Sequence, residues 1–163
     1  MASGGRGLIK KLVLILLAGC ALAAGVMVSQ YQKADFSLLG GDNMRWQDYQ
    51  GKWLVVNYFA KWCAPCLEEV PELNQFYQLS KQQNIGLIAI SWDKLAQQQL
   101  EQIVEQYQMQ FPLVHEFYTP PPFERPAQLP VSYIISPEGK VVKTLKGQQT
   151  ADSLFNYIAE LKQ

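Results

Sequence analysis

At 163 residues the chain is long enough for one domain of ordinary size with its own core. Hydrophobic residues at 48% against 17% charged exclude a disordered chain. Basic and acidic residues number 14 each and no basic patch gathers anywhere, which argues against nucleic acid as a partner.

The amino terminus carries Arg6, Lys10 and Lys11 and no acid, followed by the apolar run Leu12 to Leu17 and small or apolar residues to Val28. Residues 1–28 read as a signal or anchor segment and 29–34 as a short polar linker. Three readings of the segment compete. The stretch Leu8 to Val28, 21 residues, suits a membrane span with Lys10 and Lys11 snorkelling to the cytoplasmic interface. Leu17-Ala18-Gly19-Cys20 is similar to a bacterial lipobox, which would leave a lipidated Cys20. Ala21-Leu22-Ala23 offers a small-residue signal-peptidase site. All three place residues 35–163 outside the cytoplasm.

The domain opens with Phe36–Leu39 and Met44–Trp46 around the turn Gly40-Gly41-Asp42-Asn43, the pattern of a β-hairpin. Trp53–Phe59 is nearly continuous in apolar residues, as in a strand buried on both faces. Trp62-Cys63-Ala64-Pro65-Cys66 follows. Leu67, Val70, Leu73, Phe76, Tyr77 and Leu79 then recur at spacings of three and four, which predicts one helix from about Pro65 to Gln82, kinked at Pro71. Asn84–Ser91 is a second buried strand, Lys94–Gln108 an amphipathic helix, and Phe111–Val114 a short strand. Residues 116–128 form a loop rich in proline, with Pro120, Pro121, Pro122 and Pro126. Val131–Ile135 and Val141–Leu145 flank the turn Ser136-Pro137-Glu138-Gly139 as a hairpin. Asp152–Leu161 closes the chain as a helix with Thr150 as its cap. Strands alternating with helices and ending in a hairpin and helix give an α/β domain of three layers with a mixed sheet.

Cys63 and Cys66 stand where a strand hands over to a helix, and a pair so spaced can close a small disulfide and reopen it. The helix N-terminus favours the thiolate of the first cysteine, the form that attacks a disulfide. Two bland readings stand beside this one. A zinc site needs two further Cys or His ligands, and only His115 and Cys20 remain. A purely structural disulfide would close so short a loop that it constrains the unfolded chain little. No metal or cofactor is expected.

Together these residues resemble the thioredoxin superfamily, and within it the membrane-tethered TlpA/ResA/DsbE-like thiol:disulfide oxidoreductases of bacteria. The resemblance covers roughly Phe36 to Leu161 and rests on four places: Trp62 to Cys66 after a buried strand, Tyr49 to Ala60, Glu69 three residues after the second cysteine, and Leu129-Pro130 leading into Val131–Ile135. It implies a thioredoxin-like fold with a mixed central sheet flanked by helices, plus the N-terminal hairpin. It also implies catalytic roles for Cys63 as exposed nucleophile, Cys66 as the more buried resolving thiol, and Glu69 as a partly buried carboxylate that takes the Cys66 proton. Trp62, Pro65, Leu129 and Pro130 would frame the substrate, with Pro130 cis and Leu129 free to pair with an extended client segment. Two departures from the resemblance stand out. Asn57 occupies the position of a buried Asp in cytoplasmic thioredoxins, and Thr119 to Pro126 replaces a short helix.

The function these residues point to is reduction of client protein disulfides, apocytochrome c among the clients. The resemblance adds a membrane electron donor and a tether to the bacterial inner membrane through residues 8–28 or Cys20, with the domain facing the periplasm. A disulfide oxidase or isomerase, and a redox-inert binding module, remain the alternatives.

Overall fold

The computed structural model describes residues 10–22 and 33–163, and the chain divides into two compact units, Met1–Lys33 and Ala34–Gln163. In the first unit residues 10–22 are helical (α1), with Leu12 through Leu17 exposed. Among the described residues no helix is long and apolar enough to cross a membrane. The expected span Leu8–Val28 and linker 29–34 fall partly outside the described residues, as does the peptidase site at Ala23.

The second unit is built on seven strands: β1 (Phe36–Leu38), β2 (Asn43–Met44), β3 (Trp53–Phe59), β4 (Ile85–Ser91), β5 (Leu113–Phe117), β6 (Val131–Ile135) and β7 (Val141–Lys146). Its helices are α2 (Ala64–Glu68), α3 (Val70–Ser80), α4 (Gln97–Tyr107) and α5 (Ala151–Leu161). The strands form one mixed sheet in the order β2-β1-β5-β4-β3-β6-β7. Central β3 pairs parallel with β4 and antiparallel with β6, so Phe59 lies beside Ser91 while Tyr58 faces Val131. That register brings the carboxyl ends of β3 and β4 and the start of β6 to one edge. The N-terminal hairpin does not stand apart: β1 also pairs with β5 and extends the sheet.

Alternation along the strands splits the core. Val55, Leu87, Ala89 and Ile134 face one side, where Val70, Leu73 and Phe76 of α3, Leu100 and Ile103 of α4, and Leu154 and Ile158 of α5 cover them. Leu54, Val56, Tyr58, Ile88 and Tyr133 face the other side, where no α-helix packs among the described residues. There Trp46, Phe117 and Phe123 cover the sheet, with the Trp46 ring 4.6 Å from Phe36 and edge-on to Phe123 at 5.2 Å. The third layer is thus an aromatic loop layer.

Several boundaries differ from the sequence expectation for identifiable reasons. Trp46 starts a 3₁₀ turn, Trp46–Tyr49, instead of ending a strand, because Asp48 accepts a hydrogen bond from the Arg45 N–H at 2.9 Å and pairs with its guanidinium at 2.8 Å. The single helix expected after Pro65 is two, joined at Glu69; Pro71 sits in the first turn of α3, where its missing N–H costs nothing. α4 begins at Gln97 because the Gln99 side chain accepts the Ala96 N–H at 3.1 Å. β5 begins two residues late because Pro112 has no N–H for the ladder, although its carbonyl accepts from Ala89 at 2.8 Å. α5 is capped by Thr150, whose Oγ1 accepts the Ser153 N–H at 3.1 Å while the Ser153 hydroxyl accepts the Thr150 N–H at 3.0 Å.

Candidate active site

Beyond Phe59 the chain leaves the sheet, its Phe59 carbonyl held by the Trp92 N–H at 2.7 Å, and turns through Ala60 to Trp62 into α2. Cys63 is the N-cap of α2, with extended backbone at φ −93° and ψ 92°. Its Sγ accepts the Cys66 N–H at 3.3 Å, and its carbonyl accepts from Cys66 and Leu67. Cys63 and Cys66 are joined in a disulfide with Cα atoms 5.3 Å apart. Cys63, expected to be exposed, is in fact buried at 6% exposed, and Cys66 is 1% exposed. Among the described residues no group of three or more His, Cys, Asp or Glu side chains could hold a metal ion.

Behind the disulfide lies a polar cluster inside an apolar core. Glu69, at the joint of α2 and α3, is 2% exposed, more deeply buried than the partly buried carboxylate expected. Asn57 of β3 donates its Nδ2 to Glu69 Oε1 at 2.8 Å and to Ser132 Oγ of β6 at 3.1 Å. The Gln149 N–H donates to Glu69 Oε2 at 3.0 Å. Burial pushes the Glu69 carboxyl up to about 7, against the opposing pull of the Gln149 and Asn57 hydrogen bonds. Such a group is part ionised near neutral pH and is able both to accept and to release a proton.

The other sequence-derived residues surround the same edge. The Leu129–Pro130 peptide bond is cis, and Pro130 is buried where β6 begins beside the end of β3. Leu129 is half-buried and packs against both core clusters. Pro65 is exposed in the first turn of α2, and its carbonyl accepts the Gln148 Nε2 at 2.9 Å. Trp62 is 60% exposed, its ring edge-on to Trp92 at 5.9 Å. Its indole N–H donates to Asp93 Oδ2 at 2.8 Å. Lys61 is exposed, and His115 is half-buried on β5.

Sequence reasoning missed Trp92, Asp93, Gln148 and Gln149. Trp92 and Asp93 directly follow β4, and the carboxyl ends of parallel strands are where open α/β sheets place function, which was the one available signal. Gln148 and Gln149 reach α2 and Glu69 across about eighty residues of chain, a contact no local pattern announces.

Comparison with known proteins agrees with this geometry. The AhpC/TSA family matches residues 30–144, which include the disulfide, Glu69 and Pro130. The thiol-disulfide oxidoreductase ResA of Bacillus thuringiensis subsp. konkukian is 29% identical over 130 residues, 76% of this chain and 71% of that protein. ResA of Geobacillus thermodenitrificans is 26% identical over 151 residues, 87% of this chain and 80% of its own. StoA of Bacillus subtilis shares the fold with a TM-score of 0.60 at 20% identity, over 76% of this chain and 93% of that one. A thiol:disulfide interchange protein of Chlorobium tepidum gives a TM-score of 0.61 at 18% identity, over 79% and 94% of the two chains. The chain belongs to the AhpC/TSA family and is a thiol–disulfide oxidoreductase of thioredoxin-like fold with a Cys63–Cys66 pair.

Proposed function

We propose that this chain is a membrane-tethered, extracytoplasmic oxidoreductase that works mainly as a reductant of client protein disulfides. In the reduced pair the Cys63 thiolate attacks one sulfur of the client disulfide. A Cys63–client bond forms and the other client sulfur leaves as a thiolate. The Cys66 thiolate then attacks Cys63 Sγ, closing the Cys63–Cys66 bond and releasing the second client thiolate. Two electrons have passed from the pair to the client. Glu69, buried behind the pair, takes the proton that Cys66 gives up. Trp62, Pro65, Leu129 and Pro130 frame the client segment at the exchange edge.

The observation that carries the reducing direction is the dipeptide between the cysteines. Ala64 and Pro65 bring no histidine or other cation to stabilise the thiolate of the reduced pair, the device of strongly oxidising sites. Support for the location comes from the basic, then apolar, N-terminal sequence and from economy of cysteines: besides Cys20, the chain has only this pair. A membrane donor then returns two electrons to the pair, and apocytochrome c is one client class that fits.

The test is capture of the intermediate. Cys66→Ser removes the resolving thiol, so Cys63 should accumulate as a mixed disulfide with its client, visible as a thiol-sensitive adduct on non-reducing gels. Cys63→Ser should give none. Adducts formed through Cys66 in the Cys63→Ser chain, with none through Cys63, would reverse the assigned roles.

A further inference from the structure

Residues 118–130, the proline-rich loop between β5 and β6, contain no helix or strand, yet the latter part of this loop is tied to the sheet at three successive residues. The Tyr133 hydroxyl donates to the Glu124 carbonyl at 3.0 Å. Trp92 Nε1 donates to the Pro126 carbonyl at 3.0 Å. Between them the Arg125 guanidinium stacks 3.6 Å from the Trp92 ring centroid and donates to the Trp92 carbonyl. Arg125 is exposed and forms no ion pair with a carboxylate among the described residues, so its guanidinium is committed to Trp92.

Trp92 connects that loop to the exchange edge. Its backbone N–H holds the Phe59 carbonyl at 2.7 Å, where the chain leaves β3 for the cysteines. Its ring meets that of Trp62, the neighbour of Cys63, edge-on at 5.9 Å. In the other direction Pro126 is followed closely by Leu129 and the cis Pro130. Packing alone does not hold the Trp92 ring. The residue is half-buried, and with Arg125 it borders a cleft of ≈ 570 Å³ beside the carboxyl end of β4. What fixes the ring is the bond from its Nε1 and the guanidinium laid on its face.

We infer that Arg125 is a positioning residue for client exchange: by clamping Trp92 it fixes both Trp62 and the loop that leads into Leu129 and Pro130, an inference that rests on the exchange reading above. A client segment then meets walls that are already in place, and none of its binding is given up to ordering them. A small disulfide reaches Cys63 without lying along those walls, so it gains nothing from the clamp. The arrangement suits arginine better than lysine. A planar guanidinium lies on a ring and at the same time directs an N–H at a carbonyl, whereas an ammonium is a point charge without that fixed fork.

The experiment uses the pre-reduced full chain and two substrates. One is a disulfide-bonded peptide with flanking residues on both sides of its cysteine, and the other is bis(2-hydroxyethyl) disulfide, too small to lie along the walls. Exchange is followed at rising concentrations of each, giving a limiting rate and a half-saturating concentration. Arg125→Met keeps the length of the side chain and removes its charge and its donors. The expected result is a fall of about fivefold or more in exchange efficiency for the peptide relative to the small disulfide. The fall should lie in the half-saturating peptide concentration and not in the limiting rate, with Arg125→Lys between Arg125→Met and the parent. Ratios within one variant cancel any general loss of activity. In near-ultraviolet circular dichroism, Arg125→Met should weaken the indole bands that Trp62→Phe also removes. A peptide-to-small-disulfide ratio within about twofold of the parent, a loss confined to the limiting rate, or unchanged indole bands would overturn the positioning role alone. No exchange between the parent chain and the small disulfide would overturn the exchange reading and the positioning role with it.

Discussion

Glu69→Gln tests the polar cluster behind the disulfide through its effect on stability. The Glu69 carboxyl titrates at about 7 in the folded chain against an ordinary 4.5, chiefly because burial penalises the charge. A folded pKa above the unfolded one means that the folded chain holds the proton more tightly. The corresponding stability is therefore fully present below pH 4.5 and is lost as pH rises through about 7. At about 1.36 kcal/mol per pH unit the loss amounts to about 3 kcal/mol. Glutamine cannot titrate, so the variant lacks that loss. It carries a smaller, pH-independent cost of about 1 kcal/mol, since its amide nitrogen must face a donor, either Asn57 Nδ2 or the Gln149 N–H. The parent chain should therefore be the more stable at pH 4 and the variant the more stable at pH 8, with the curves crossing between about pH 5 and 6. Denaturant unfolding of the oxidised chain at half-unit steps from pH 4 to 8 reads this directly. A difference between parent and variant that stays constant across the range would refute the burial argument.

Two further outcomes follow from the same geometry. Asn57→Ala removes a hydrogen bond that holds the Glu69 carboxyl down and leaves Ser132 Oγ without that donor; it should cost about 2 kcal/mol and carry the stability loss to higher pH. The same pH series checks it, and a titration window that does not move would count against the Asn57 contact. Thr150→Ala deletes the acceptor for the Ser153 N–H at the start of α5 and should cost about 1 kcal/mol by denaturant midpoint, whereas an unchanged midpoint would show that the cap adds nothing.

What was legible in the sequence was whatever has a local period or a short motif. The apolar runs Trp53–Phe59 and Asn84–Ser91 announced the two central strands, and the turn at Ser136–Gly139 announced the last hairpin. Cys63 and Cys66 announced the chemistry, because no other residues so close in sequence can open and close a bond. The proline-rich stretch after β5 was visible as a departure, but not its consequence, a sheet face covered by Trp46, Phe117 and Phe123 with a cleft at its corner. The break at Glu69 escaped because periodicity continues through it; what stops the helix is geometry at Glu69, φ −80° and ψ −8°, ahead of Pro71. The contacts of Glu69 with Asn57 and Gln149, and of Trp62 with Asp93, join segments that only the folded sheet brings together. The burial of Cys63 likewise comes from the surrounding fold, which the motif does not display.

The central claim, that the pair serves as a reductant, is tested most directly by the reduction potential of Cys63–Cys66, measured by equilibrating the chain against defined thiol/disulfide buffers. The account predicts a value at or below about −270 mV, in the range of reducing thioredoxins. A value near −120 mV, roughly that of a strong disulfide donor, would contradict it and reverse the direction of electron flow.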